Sequence, residues 1–258
     1  MLPIPRKALL APAVALLVGV PAQADTQNSG DSSMAVREVI DRSFRLSPGA
    51  DISVDTIAGP VTIETGDSNV AHVHIVRGAA TRLELQCYRT DVSGAADRIT
   101  IRHVQFTNRP GCDSIRSGQE VRLKLPRDVG VSLSTIAGGV DIGPIDGRLR
   151  LESIAGPVRA RGVRSGELSS LAGGLQLTVN PPTSRGVRVS SVVGPTDITF
   201  AAGTSADVRV DSVMGNTTST SRRIPISWSN GRASARVGSG GPPVTVSAVV
   251  GHVTLHGS

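Results

Sequence analysis

Seven copies of one short pattern constrain this chain more than any other feature of it. The pattern reads Thr56-Ile57-Ala58-Gly59-Pro60-Val61, Thr135-Ile136-Ala137-Gly138-Gly139-Val140 and Ser153-Ile154-Ala155-Gly156-Pro157-Val158. It returns at Ser170-Leu171-Ala172-Gly173, Ser191-Val192-Val193-Gly194, Ser212-Val213-Met214-Gly215 and Ala248-Val249-Val250-Gly251. From Gly138 to Gly215 the glycines are 18, 17, 21 and 21 residues apart, and a step of 36 leads on to Gly251. Self-similarity at about 20 residues marks units that stack on one another.

The columns say what each unit is. Counted from the glycine, position −5 holds Val54, Leu133, Leu151, Leu168, Val189, Val210 and Val246, and position +2 holds Val61, Val140, Val158, Leu175, Thr196, Thr217 and Val253. Alternating apolar residues of this kind are strands with one face inward. Position −2 is always Ile, Leu or Val but has the opposite parity to −5, so the chain changes facing between them, as at a corner. Position −3 is Thr or Ser in six copies, a hydroxyl able to bond backbone freed at the bend, and +1 is Pro, Gly, Asn or His, the residues of turns. Gly59, Gly138, Gly156, Gly173, Gly194, Gly215 and Gly251 therefore read as structural corner glycines. The predicted fold is all-β: a stacked, parallel β-helix-like β-solenoid of about seven short coils over residues 129–258, its coils about 4.8 Å apart. The step of 36 reads as two coils, the middle one degenerate around Ser229-Asn230-Gly231. With Leu255 so near the C-terminus, the final coil is expected to leave an open edge, along Val253–Leu255, on which the chain would self-associate.

Residues 36–128 read as an antiparallel β segment joined to the first coil. Alternation is visible at Phe44–Leu46, Ile52–Val54, Val61–Ile63, Val73–Ile75, Leu83–Leu85, Ile99–Ile101 and Val121–Leu125, with at most one weak helical turn near Val36–Arg42. Before it, Arg6 and Lys7, the apolar run Ala8–Val20 and Ala22-Gln23-Ala24 read as a signal peptide, residues 1–24, cleaved between Ala24 and Asp25. That apolar run is too short for a hydrocarbon core that needs about 20 residues. Residues 25–35 read as a flexible leader. The expected address is therefore exported, either periplasmic or on the cell surface, with no transmembrane segment in the mature chain.

Cys87 and Cys112 are the only cysteines. In an exported chain they read most simply as one disulfide, two free thiols being the alternative, and the bridge would contribute about 3 kcal/mol in the chain-entropy account. The formal charge is +6, almost wholly from arginine, and the aromatics Phe44, Tyr88, Phe106, Phe200 and Trp228 are scattered. A nucleic-acid surface concentrates both charge and stacking residues, so no nucleic-acid partner is expected.

Two further stretches carry a resemblance. Arg122-Leu123-Lys124-Leu125-Pro126-Arg127-Asp128 runs into Val131–Gly138, and the end of the chain reads Ala235-Arg236-Val237-Gly238-Ser239-Gly240-Gly241 followed by Val244-Thr245-Val246. Together with the repeats, these resemble a widespread exported bacterial β-strand-repeat domain of unknown function, the "putative adhesin" or toast-rack family. The resemblance spans about Val36 to Ser258. It implies an envelope-exposed β-solenoid, in some members joined to envelope-stress or membrane modules, none of which is expected here, and it brings no catalytic residue.

Candidate chemistry is sparse. At −6, Arg150, Arg188 and Arg209 recur with Glu167 interrupting, and with Arg148, Arg159, Arg161 and Arg164 they could flank an anionic glycan or lipid headgroup; the plainer reading is a solvated charge pattern that protects strand edges. The −4 acids Asp55, Glu152 and Asp211 do not fall on adjacent coils, so no carboxylate pair of the glycosidase kind is visible. His72 and His74 share a strand face without a third ligand, and His252 and His256 are weaker still. Gly238–Gly241 lacks the lysine and helix of a phosphate loop. No catalytic, metal or cofactor site is therefore assigned. The expected function is that of an exported, non-enzymatic cell-envelope protein, binding, adhesin-like or structural, with an envelope protein or an anionic glycan as partner. The alternative is a carbohydrate-active enzyme, a polysaccharide lyase or hydrolase, by analogy of scaffold alone.

Overall fold

A computed structural model describes residues 34–106, 109–112 and 117–257. The expected signal peptide, its predicted Ala24–Asp25 cleavage site and nearly all of the predicted 25–35 leader lie outside the described residues. The chain begins with β1 (Val36–Arg45), β2 (Asp51–Ala58), β3 (Val61–Gly66) and β4 (Val70–Ala79), makes one helical turn, α1 (Arg82–Gln86), and continues through β5 (Tyr88–Ala95), β6 (Arg98–Gln105) and β7 (Ser117–Pro126). The repeats supply β8 (Gly130–Ala137), β9 (Val140–Ile142), β10 (Leu149–Ala155), β11 (Val158–Val163), β12 (Gly166–Ala172), β13 (Leu175–Val179), β14 (Val187–Val193) and β15 (Thr196–Phe200). Last come β16 (Ala206–Met214), β17 (Thr217–Ser219), β18 (Ile226–Ser229), β19 (Arg232–Val237), β20 (Pro243–Val250) and β21 (Val253–Gly257).

These strands form two large sheets, one ordered β1-β4-β7-β3-β9-β11-β13-β15-β21-β17 and the other β18-β19-β16-β20-β14-β12-β10-β8-β2-β6-β5. At each repeat the chain lays one strand in the second sheet, turns at the glycine and lays the next in the first, each parallel to its equivalents above and below. We call such a two-strand layer a rung. In spatial order the eight rungs are β6/β7, β2/β3, β8/β9, β10/β11, β12/β13, β14/β15, β20/β21 and β16/β17. The inner faces of both sheets meet in one hydrophobic cluster, in which Val54, Leu133, Leu151, Leu168, Val189 and Val246 are fully buried. At about 1.5–3 kcal/mol for each such side chain, this shared core is what holds the layers together.

The change of facing seen in the sequence is made inside a strand, one step before the corner. Thr135, Ser153 and Ser170, all at −3, adopt left-handed φ of 53°, 56° and 55°. The ladder skips them: Glu152 pairs with Ser169, then Ile154 with Leu171. One left-handed residue thus lets −5 and −2 both point into the core, and the three hydroxyls at these positions stay exposed instead of bonding the bend. The corner itself is the glycine. Gly156 has φ 151°, donates its N–H to Ala172 O at 2.8 Å, and a Cβ there would overlap the carbonyl oxygen of Gly138. The overlap recurs from Gly59 to Gly138, Gly156, Gly173, Gly194, Gly251 and Gly215 in turn, a column of backbone packed on backbone.

Several expectations are corrected. Residues 36–128 are antiparallel only in part: β1 with β4, β4 with β7 and β5 with β6 are antiparallel, but β2 and β3 run parallel to β6, β7, β8 and β9. Leu83–Leu85 is helix rather than strand, because Thr81 and Glu84 form a capping box, with Glu84 N donating to Thr81 Oγ1 at 3.1 Å and Thr81 N to Glu84 Oε2 at 3.0 Å. The weak turn proposed near Val36–Arg42 is β1. The segment around Ser229-Asn230-Gly231 is no degenerate coil: β18 and β19 make an antiparallel hairpin whose Asn230 and Gly231 take φ of 50° and 73°, the positive angles a two-residue primed turn demands. The final rung is not at the end of the stack. β20 lies between β14 and β16, and β21 between β15 and β17. The open edge expected along Val253–Leu255 is therefore absent, since those residues are bonded on both sides, and with it goes the reason for self-association there.

Candidate functional site

The outer face of the eleven-stranded sheet carries the −6 arginines. Register places Arg150, Glu167, Arg188, Thr245 and Arg209 on consecutive rungs. The insertion of β20 puts Thr245 between Arg188 and Arg209, so none of the three arginines adjoins another. Arg150 lies 3.5 Å from Glu152, and Glu167 accepts from Arg148 at 3.2 Å. In the neighbouring −4 row, Ser134 donates to Asp55 at 2.8 Å, and Arg232 reaches Asp211 at 2.9 Å. Of the three −6 arginines, Arg150 has a carboxylate neighbour, and Glu167 and Thr245 separate the three along the row.

The ten-stranded sheet is different. Where its strands leave the corners, position +1 alternates as Pro60, Gly139, Pro157, Gly174 and Pro195 over five consecutive rungs, and these residues line an open groove of about 340 Å³. Neither Gly139 nor Gly174 needs to be glycine for the backbone. Neither has positive φ, and an added Cβ would come no closer than 3.7 Å to Pro157 at the first and 3.5 Å to Pro195 at the second. Glycine at such a site only adds entropy to the unfolded chain. What it leaves is a pair of notches between proline rings, two rungs or about 9.6 Å apart.

Beside the notches runs an outward polar row: Thr62, Asp141, Arg159, Gln176 and Asp197. Arg159 Nε donates to Gln176 Oε1 at 2.9 Å and its other end lies 3.6 Å from Asp141, while Arg161 donates to Asp141 at 2.6 Å. Asp141 and Asp197 stand three rungs apart, about 14 Å, beyond the separations at which two carboxylates work on one glycosidic bond. This arrangement can grip a chain that runs across the strands, with apolar rings below and hydrogen-bonding groups alongside. Sequence reasoning missed it, although the Pro/Gly alternation at +1 was its signal.

The β6/β7 end of the stack, next to the Pro60 end of the groove, holds a buried polar cluster. Arg77, 8% exposed, donates to Glu38 Oε2 at 2.7 and 3.0 Å and to the carbonyl of Tyr88 at 2.8 Å. The Tyr88 hydroxyl donates to Gly78 O at 2.8 Å, Thr90 donates to Gln119 at 2.9 Å, and Gln119 meets His103 Nδ1 at 3.3 Å. Burial, helped by the Arg77 charge, holds the His103 imidazole below its usual pKa, and burial raises that of the Tyr88 phenol. Because the Gln119 carbonyl abuts Gly59, the cluster closes the glycine column. The disulfide Cys87–Cys112, with Cα atoms 5.4 Å apart, fixes the approach to Tyr88. His72 and His74 turn toward β1, to Ser43 at 3.0 Å and Asp41 at 2.6 Å. Among the described residues no group of three or more His, Cys, Asp or Glu is placed to hold a metal ion, and no helix is long and apolar enough to cross a membrane.

No family model and no curated protein matches the chain. Several solved structures superpose on most of its length at low identity. A "putative cell adhesion protein" from Clostridium sporogenes superposes with a TM-score of 0.46 at 10% identity, over 86% of this chain and 100% of that one. A "putative adhesin" from Bacteroides fragilis does so with a TM-score of 0.34 at 14% identity, over 84% and 97%.

Proposed function

We propose that the chain is an exported, non-enzymatic binding protein of the cell envelope, adhesin-like in role, built as a two-sided β-solenoid of eight rungs. The alternation of strands between two sheets and the unbroken glycine column support the solenoid reading. The observation that carries the binding role is the groove, where two glycines that neither backbone angle nor packing requires keep notches open between Pro60, Pro157 and Pro195. Notches repeated every second rung suit an extended, repeating ligand, and an envelope glycan is the first candidate. Paired charges beside the notches favour neutral hydroxyl-rich segments, whereas an anionic glycan would engage Arg150, Arg188 and Arg209 on the other sheet.

A glycan array probed with the wild type, with Gly139→Val/Gly174→Val and with Arg150→Ser/Arg188→Ser/Arg209→Ser separates these faces, and the same incubations are assayed for cleaved product. The proposal expects binding without turnover, weakened at least tenfold by filling the notches. Turnover abolished by Asp141→Asn would instead establish the lyase or hydrolase alternative.

A further inference from the structure

The end of the stack formed by β16–β19 differs chemically from the rest of the molecule. From Ser212 to Ser258 the chain has Arg222, Arg223, Arg232 and Arg236 and not one Asp or Glu, so this stretch carries +4 of the chain's formal +6. Arg232 and Arg236 are matched by Asp211 at 2.9 Å and Asp207 at 3.5 Å. Among the described residues, Arg222 and Arg223 have no carboxylate partner, and both are exposed.

Topology puts that unmatched pair on the end face. β17 is the last strand of one sheet and β18 the last of the other, so residues 220–225 must cross the open end of the sandwich between them. Ile224, 2% exposed, plugs the core from this crossing, and Thr220 N anchors it to Leu255 O at 3.0 Å. Arg222 and Arg223 immediately precede the plug and face solvent.

Exposed apolar side chains also lie on the last three rungs and on the hairpin beyond them. Met214 is 74% exposed, Trp228 59%, Val193 58% and Val250 47%. Trp228 lies on the outermost strand. Val193, Val250 and Met214 hold the −1 position on three consecutive rungs, in register, where the earlier rungs have Ala58, Ala137, Ala155 and Ala172. The −1 ladder therefore changes from small to large apolar residues only toward the arginine-bearing end.

We propose that this end face docks on an anionic phospholipid surface. Tryptophan and methionine suit the interfacial zone of a bilayer, where an amphipathic ring rests at headgroup depth, and uncompensated arginines are drawn by the negative potential of anionic lipid. An acid-free stretch with exposed apolar side chains matches that surface in charge and in polarity. Seated this way, the stack stands on its end, and the groove residues Pro60, Gly139 and Pro157 lie at least four rungs from it. The inference does not rest on the groove, since a chain that binds no glycan can still dock.

Trp228 is the only tryptophan, so its fluorescence reports the contact directly. The purified full chain, freed of any leader, is titrated with phosphatidylcholine vesicles with and without phosphatidylglycerol, following Trp228 emission and co-sedimentation. The expected result is a blue shift and sedimentation with the anionic vesicles alone, both weakened by salt. Arg222→Ser/Arg223→Ser, at exposed positions, is expected to lower the apparent affinity about thirtyfold, and Met214→Ser to lower it severalfold with the arginines intact. The absence of a shift or sedimentation on anionic vesicles overturns the proposal, as does binding that survives at full strength in the double arginine variant. Folding of each variant is checked by its urea midpoint.

Discussion

Two glycines of adjoining rungs, Gly156 and Gly139, give a matched test of how the corner works. Gly156 sits at φ 151° with its Cα against the Gly138 carbonyl, and Gly139 has neither constraint. An alanine at 156 meets a backbone conformation open essentially to glycine alone, at about 1–3 kcal/mol. Its methyl must also push the Gly138 corner away. That loosens ladder bonds such as Gly156 N to Ala172 O at 2.8 Å and Gly138 N to Ala155 O at 2.9 Å, each about 1 kcal/mol. We predict a loss of about 3–4 kcal/mol for Gly156→Ala. In a chain of this size that lowers the midpoint by about 10 °C, at about 2–4 °C per kcal/mol. Gly139→Ala, whose methyl comes no closer than 3.7 Å to Pro157, is predicted to be neutral or to stabilise by about 0.5 kcal/mol by restricting the unfolded chain. Urea and thermal unfolding followed by circular dichroism measure both. Equal losses in the two variants, or a Gly156→Ala midpoint within about 1 °C of wild type, would refute the corner assignment.

Other predictions follow from single sites. Thr196 is fully buried with an unsatisfied hydroxyl in a column otherwise rich in valine, so Thr196→Val is expected to raise stability by about 1 kcal/mol, read as a higher urea midpoint. His103 is held below its ordinary pKa of 6.5 by burial and by Arg77, so the unfolded chain takes up its proton first on acidification. Stability should therefore fall as pH drops below about 6.5 and stop falling on this account below the folded pKa; His103→Gln should flatten that part of the profile, and an unchanged profile would exclude His103 as its source. Reducing Cys87–Cys112, or replacing both cysteines by serine, should cost about 3 kcal/mol while leaving far-ultraviolet dichroism intact.

Where the sequence was legible, it was so because one column does one job. Val54, Leu133, Leu151 and Leu168 alternate with polar residues that are half-buried or exposed and face one core, so strand positions and the inward face could be read directly. Rung order could not. The corner of Gly194 bonds to that of Gly251, 57 residues further on, and not to that of Gly215, yet Val246 and Val210 are interchangeable as apolar partners for Val189. The β18–β19 hairpin occupies one edge of β16 and β20 the other, a pairing that no column records. Local chemistry was readable but outweighed: the Thr81-x-x-Glu84 capping box and the Asn230-Gly231 turn both stand in the sequence, and the period-two habit of their neighbours masked them. The groove was half legible. The Pro/Gly alternation at +1 is plain, but that these glycines are free to be alanine, unlike Gly138 and Gly156 beside them, appears only when each Cβ is placed. The cluster of Arg77, Tyr88, Thr90, His103 and Gln119 draws on four strands, and no spacing foretells it.

The most direct test of the central claim, that the repeat is scaffold and binding belongs to the face displaying Gly139 and Gly174, is a backbone amide map of the protein titrated with the best glycan from the array. The account predicts shift changes concentrated at Gly139, Asp141, Arg159, Gly174 and Gln176, and absent from Gly139→Val/Gly174→Val. Changes centred instead on Arg150, Arg188 and Arg209, or undiminished when both notches are filled, would contradict it.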